Sequence, residues 1–261
     1  MGDTAANTGT GLSYTVANMQ GLGQRERQED AFAFCNATDP AKIAGEGLFA
    51  VVCDGMGGMA DGKEASERAI DILVSDFKST TREGDLPAQM ERSLRNACVG
   101  VYGLIGGMGG STAVVCIFFL NKLYYVGVGD SFVYLLRDGQ LLRINKEHNI
   151  RNAIYLRGIR DGSMDYEEAR NDFEEAALTE FLGMPELDEV DALRRGLPLD
   201  TGDMVLMCSD GVGGVLDEKE IIECMEGRTP EEACAMIKEA VLRANRPGQD
   251  NFTALVISCG Q

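Results

Sequence analysis

Hydrophobic and polar positions along this chain follow two distinct periods. The runs 31-AFAFC-35 and 48-LFAVVC-53 are almost continuously apolar, of strand length and bounded by turn residues. From Asp61 to Thr80 the period lengthens, and Ile70, Leu73, Val74 and Phe77 keep the spacing of an amphipathic helix. A second helix follows, with Asp85 as its cap and Pro87 in its first turn. Its apolar face is Met90, Leu94, Ala97, Cys98 and Val101, and the glycines of 106-GGMGG-110 end it. Three strands come next, 112-TAVVCIFFL-120, 123-LYYVGVG-129 and 132-FVYLLR-137, and an Asp138-Gly139 hairpin leads into 141-LLRI-144.

Residues 146–196 are highly charged and weakly patterned, with a helix expected over 165–182. Regularity returns with the strand 204-MVLMCS-209. A helix then starts at Asp217, where Glu220 completes a capping box, and another opens at Thr229-Pro230 and runs through Asn245. The strand 252-FTALVIS-258 closes the series. Helices come in pairs and strands in hairpins, without strand–helix–strand alternation. This predicts one α+β domain over residues 12–261, with antiparallel sheets covered by helices and a frayed, flexible segment at 1–11.

Composition narrows the classes of function. With 42 acidic and 24 basic side chains the formal charge is −18, which disfavours nucleic acid as a partner and favours divalent cations or basic protein segments. No apolar run approaches the roughly 18 residues that span a bilayer, and MGDTAANTGTG has neither a basic nor an apolar leader region, so a cytoplasmic protein is expected. The eight cysteines include no C-x-x-C pair, and several lie inside apolar runs, which reads as reduced core thiols. His148 is the one histidine, too few imidazoles for a histidine-rich zinc centre, and it is expected to be structural. Any metal here must be held by oxygen.

Four apolar strands begin or end at an aspartate: Asp54 before Gly55, Asp130 before Ser131, Asp210 before Gly211, and Asp250 before Asn251. Singly, each reads as a turn former or helix cap, since Asp-Gly is a common turn dipeptide. Together they predict a carboxylate cluster at one mouth of the domain. Such a cluster needs a positive charge between its members, and an all-oxygen set suits Mg²⁺ or Mn²⁺. Glu29 and Asp30 add two acids at the start of a strand, and Arg25 just before them offers a planar fork for phosphoryl oxygens. Arg27 reads as a surface ion pair.

The ordered set 25-RERQED-30, 49-FAVVCDGMGG-58, 110-GSTAV-114, 127-GVGDS-131, 202-GDMVLMCSDGV-212 and 250-DNFTALVI-257 resembles the metal-dependent protein serine/threonine phosphatases of type 2C, in their bacterial branch. The resemblance implies a β-sandwich of two antiparallel sheets flanked by pairs of helices, in four layers. It implies two ions in a core site. Asp54 would bridge them, the Gly55 carbonyl would bind one, Asp210 and Asp250 the other, and Glu29 would act directly or through water. Asp130 with Asp210 matches a third, weaker site, and Arg25 matches the phosphate-binding arginine. Asp30 and Asn251 would stand behind these ligands.

The reaction so implied is hydrolysis of phosphoserine and phosphothreonine by in-line attack of a water between the ions, with no covalent intermediate. The implied substrates are phosphorylated proteins, a cognate serine/threonine kinase is expected in the same pathway, and the protein is expected to be a monomer. Two alternatives remain: a phosphatase of small phosphorylated metabolites, and a pseudophosphatase that binds without turnover. The chain departs from the family pattern at Gln28, Phe132, Glu147 and Glu180, none of them a metal ligand. Phe132 stands where arginine commonly follows Gly-Asp-Ser. The stretch around 146–196 matches the family's variable flap, for which Gly158, Gly162 and Gly183 are possible hinges.

Overall fold

The computed structural model describes residues 11–57, 61–150, 152, 156, 158, 160 and 177–261. Residues 1–10 of the frayed segment expected over 1–11, residues 165–176 of the helix expected over 165–182, and the hinge at Gly162 lie outside the described residues. The first half contains β1 (Ser13–Gly21), β2 (Ala31–Cys35), α1 (Pro40–Glu46), β3 (Leu48–Cys53), β4 (Gly55–Gly57), α2 (Asp61–Ser79) and α3 (Leu86–Ile105). It continues through β5 (Gly109–Ser111), β6 (Ala113–Phe119), β7 (Lys122–Val128), β8 (Phe132–Arg137) and β9 (Gln140–Arg143). The remainder holds β10 (Asp191–Ala192), β11 (Leu197–Pro198), β12 (Met204–Cys208), α4 (Asp210–Gly213), α5 (Glu218–Met225), α6 (Pro230–Ala244) and β13 (Phe252–Gly260).

The continuous apolar runs are explained by strands buried on both faces. In β3, Leu48, Ala50 and Val52 point one way, toward Val114, Cys116 and Phe118 of β6 and toward Val205, Met207, Leu255 and Ile257 of a second sheet. The alternate residues Phe49, Val51 and Cys53 point the other way, onto Leu73, Phe77, Leu94 and Val101 of the α2–α3 pair. Across the sandwich, Met204, Leu206, Cys208, Ala254 and Val256 face Ile221, Met225, Ile237 and Val241 of the α5–α6 pair. The result is the expected α-β-β-α layering. One sheet runs β1-β13-β12-β8-β9 and the other β10-β7-β6-β3-β2, with β11 also on β7, and neighbours are antiparallel. All eight cysteines are free and buried.

Local chemistry sets the ends of these elements. The Asp85 carboxylate accepts from the Ala88 amide at 3.1 Å, and Asp217 with Glu220 and Thr229 with Glu232 form complete capping boxes. The Asp138-Gly139 hairpin has φ of 50° and 71°, the left-handed pair that a two-residue turn of this type requires. The antiparallel registers Ala31↔Cys53, Ala113↔Val128, Cys208↔Phe132 and Gly21↔Phe252 then fix one end of the sandwich. There the β1–β2 link, the end of β3, the β7–β8 link, the end of β12 and the start of β13 come together.

One reading of the sequence is corrected, and one strand is added. The helix expected as far as Leu182 does not reach it: Leu178 bridges Asn149 and Leu182 bridges Ser111 in extended structure. Leu182 is fully buried there, and its amide donates to the Ser111 carbonyl at 2.8 Å, so a long-range pairing overrides local helical propensity. The largely polar segment 13-SYTVANMQG-21 was not foreseen as a strand, yet it is β1, paired with β13 along its whole length.

Candidate active site

Asp54 directly follows β3, and its backbone is clamped on both sides. Its amide donates to Thr112 Oγ1 at 3.0 Å, while its carbonyl accepts from the Thr112 amide at 2.8 Å and from Ser111 Oγ at 3.0 Å. Asp210 opens α4, with Ser209 at the helix cap position. Asp250 lies just before β13, and Oδ1 accepts from the Asn251 amide at 2.7 Å. Asn251 joins three segments: Oδ1 accepts from the Glu29 amide at 2.8 Å and Nδ2 donates to the Leu22 carbonyl at 2.9 Å. Asp130 sits in the β7–β8 link. Arg25 Nη2 reaches Asp250 Oδ2 at 2.7 Å.

The glycines after Asp54 and Asp210 are explained by close approach and not by a turn. Gly55 is in a strand and Gly211 in a helix. A Cβ on Gly55 would lie 2.1 Å from the Gly62 carbonyl oxygen and 2.6 Å from that of Glu29, and one on Gly211 would lie 1.9 Å from the Asn251 carbonyl oxygen. The turn-former reading of these Asp-Gly pairs is thereby set aside. Any side chain here would push the acidic segments apart.

Burial and repulsion between neighbouring acids raise the pKa of buried carboxyls at this end of the sandwich. The Asp54 carboxyl is pushed well above the usual range, first by desolvation and then by the charges of Asp30, Asp210, Asp130 and Asp250. Asp130 is pushed up to about 7 by desolvation, Asp210 and Glu147. Asp210 is raised by desolvation and by Asp250. Asp30, 6% exposed, is pushed up to about 6 by desolvation, against the hydrogen bonds it accepts on Oδ2 from Thr253 Oγ1 at 2.7 Å and Ser209 Oγ at 2.8 Å.

Among the described residues no three acidic, thiol or imidazole side chains close on a single point in ligating geometry. The donor set nevertheless fits divalent ions: it is all oxygen, and Asp210 Oδ1 is enclosed with no hydrogen-bond partner.

These shifts have a sign for stability. A carboxylate raised in the folded state means that the native protein binds more protons than the unfolded chain between the unfolded value, about 4, and the folded one. Stability therefore falls as pH rises through that window. Chelator-treated protein should melt at a higher temperature near pH 6 than near pH 8, and Mn²⁺ should flatten the difference. A melting temperature that rises with pH in chelator would show that the carboxylates are not mutually destabilised.

His148 is 2% exposed, neither ring nitrogen has a hydrogen-bond partner, and burial pulls its pKa down. A neutral, packed imidazole matches the structural role expected for it. The hydroxyls of Thr112, Ser209 and Thr253 and that of Ser66, which donates to the Glu29 carbonyl at 2.5 Å, were missed from sequence. Each is a single small polar residue, and only the folded register shows what it holds.

A two-sheet sandwich that gathers acids and the Arg25 guanidinium at one end is the arrangement suited to divalent ions and a phosphate ester. Residues 22–239 match the family described as protein phosphatase 2C. The chain is 29% identical over 218 residues to the serine/threonine phosphatase stp of Listeria monocytogenes, covering 79% of this chain and 82% of that protein. Its fold matches the Mycobacterium tuberculosis serine/threonine phosphatase PstP/Ppp with a TM-score of 0.78 and 26% identity, over 97% of this chain and 100% of that one. The PstP catalytic domain solved with two manganese ions matches with a TM-score of 0.76 at 26% identity, over 96% and 100% of the two chains. The chain belongs to the protein phosphatase 2C family, and it is a protein serine/threonine phosphatase.

Proposed function

We propose that this phosphatase uses two divalent ions, Mn²⁺ or Mg²⁺, which the carboxylates of Asp54, Asp210 and Asp250 and the carbonyl of Gly55 would hold. Glu29 contributes directly or through water, and Asp130 with Asp210 offers a third, weaker position. The observation that supports this most is the convergence of strand ends that brings Asp54, Asp130, Asp210 and Asp250 to one end of the sandwich, where Asp130, Asp210 and Asp250 line one opening. When bound, such ions polarise phosphoryl oxygens and lower the pKa of water so that it becomes a nucleophile near neutral pH.

The chain's own groups do the positioning. Asn251 and Ser66 fix the Glu29 backbone, Thr112 and Ser111 fix that of Asp54, and Ser209 and Thr253 orient Asp30 behind the cluster. Arg25 is more than half exposed and spends only Nη2 on Asp250, which leaves guanidinium donors for the oxygens of a phosphoryl group. We place the protein in the cytoplasm as a monomer acting on phosphorylated proteins opposite a serine/threonine kinase. Among the described residues no helix is long and apolar enough to cross a membrane.

The test is release of phosphate from a phosphothreonine peptide. Manganese or magnesium should be required, and chelation should reduce turnover to background. Full turnover by metal-free protein would overturn the ion assignment. Faster hydrolysis of small phosphorylated metabolites than of any phosphopeptide would overturn the protein-substrate assignment.

A further inference from the structure

At the end of the sandwich away from the aspartates, a cleft of about 120 Å³ opens between α2, α3 and the sheet beneath them. Phe49 stands near the start of β3 and Asp54 follows its end, so five strand residues, roughly 17 Å, separate the two places. The floor of the cleft is apolar, lined by Phe49, Leu73, Phe77, Leu86, Met90 and Ile117. The Phe49 and Phe77 rings lie 4.7 Å apart at 39°, an aromatic wall on which a further ring packs well.

Arg82 braces the mouth. Its Nε donates to the Glu46 carbonyl at 2.7 Å, Nη1 to that of Thr80 at 2.9 Å and Nη2 to that of Phe77 at 2.6 Å, and the guanidinium carbon lies 4.0 Å from the Phe77 ring centroid. The brace ties the end of α2 to the end of α1 and spends every guanidinium nitrogen. The rim is therefore fixed before a ligand arrives.

The other polar groups at the rim differ in what they can still bind. Asp76 Oδ2 accepts from Asn96 Nδ2 at 3.0 Å, and Gln89 Nε2 donates to the Glu83 carbonyl at 2.5 Å. Arg92 is exposed, and its guanidinium has no ion pair or hydrogen bond among the described residues. The neighbouring Ser93 hydroxyl has no partner there either and is not enclosed. Both are donors on one turn of α3. Two arginines against one aspartate also make the rim net positive, on a chain whose formal charge is −18. Size narrows the occupant further. An apolar cavity of about 150 Å³ holds one benzene ring, so this cleft takes a single ring and leaves any charged group at its mouth.

We propose that the α2–α3 cleft is a binding site for a small aromatic carboxylate, with its ring on Phe77 and Met90 and its carboxylate on Arg92 and Ser93. The site stands apart from the phosphatase reading, because none of its residues lines the openings at the other end of the sandwich. A ligand there stabilises the folded chain by mass action without occupying the catalytic end.

The experiment uses the full chain with phenylacetate and its neutral isostere phenylacetamide, which share the ring and differ in charge. Titrations are followed on methionine methyl resonances, since Met90 lies in the cleft while Met204 and Met225 lie on the α5–α6 side. With phenylacetate the Met90 signal should shift and saturate, those of Met204 and Met225 should stay, and the melting temperature should rise. Phenylacetate should bind about fivefold more tightly than phenylacetamide, the scale of an exposed charged contact. Arg92→Gln should cancel that preference. Ser93→Leu, which fills the cleft from α3, should abolish the Met90 shift with the melting temperature of the free protein held or raised. A Met90 signal that stays still up to about 10 mM phenylacetate overturns the site. So does a saturating shift that survives in folded Ser93→Leu protein. Equal affinity of the wild type for carboxylate and amide overturns the anionic ligand, whatever the variants do. Should Ser93→Leu fail to fold, the wild-type Met90 signal and the Arg92→Gln comparison still decide.

Discussion

Asp54→Asn and Asp210→Asn should each yield a folded protein with hydrolysis reduced by at least about a thousandfold, since ion-dependent stabilisation of the transition state amounts to several kcal/mol. The side chain keeps its shape and one oxygen, so packing is preserved while a negative charge is lost. In the metal-free protein the same substitution removes one member of a mutually repelling set. Its melting temperature should therefore rise while activity collapses. Opposite signs for stability and activity are expected where a site holds charges that the fold alone does not neutralise. Phosphopeptide turnover, manganese titration and thermal melts of the two variants test this together. A wild-type rate in either variant would place the chemistry elsewhere, and equal loss of activity and melting temperature would reduce these residues to structural caps.

Arg25→Ala should act on substrate and not on the ions. A charged hydrogen bond to a phosphoryl oxygen contributes about 1.5 to 3 kcal/mol, so KM should rise about tenfold to a hundredfold while kcat changes less. Arg25 and Asp250 are 57% and 40% exposed, and an exposed pair of this kind contributes roughly 0 to 1 kcal/mol. Release of the guanidinium from Asp250 to a phosphoryl group would cost little, and thermal stability of the variant should match wild type. Steady-state kinetics with calorimetric metal titration distinguishes the roles. Intact KM with weakened ion binding would make Arg25 a support for Asp250 and not a substrate contact.

Much of the fold is legible in the sequence because its strands are buried on both faces and its helices carry explicit caps. Runs such as those at 48–53 and 204–208 and the boxes at Asp217 and Thr229 leave little choice. The acids stand out for a related reason: a carboxylate at the end of an apolar strand is expensive alone, and the four at 54, 130, 210 and 250 flank strands that meet at one end of the sandwich. What stayed hidden depends on contacts far apart in sequence. Strand β1 is mostly polar and becomes a strand only through β13. Residues 177–182 have helical composition but pair with Ser111 and Asn149. The Asp-Gly pairs look like turns locally, and only the neighbouring carbonyls reveal why the glycines are there. The stacking of Arg143 on Phe132 could not be inferred from Phe132 alone, since the arginine arrives from the next strand.

The pairing of β1 with β13 also shapes how the protein folds. Strand β13 lies in the interior of its sheet, between β1 and β12, and Arg25 meets Asp250 across 225 residues of chain. Closing so long a loop is entropically slow compared with forming the hairpins of β6 to β9 or docking α2 on α3. Those local units can assemble early, with Asp54 and Asp130 already placed at their strand ends. Glu29, Asp210 and Asp250 are brought together by the pairing of β13 with β1 and β12. With the site proposed above, topology predicts that catalytic competence arrives late in folding, after the hairpins and the α2–α3 pair have formed.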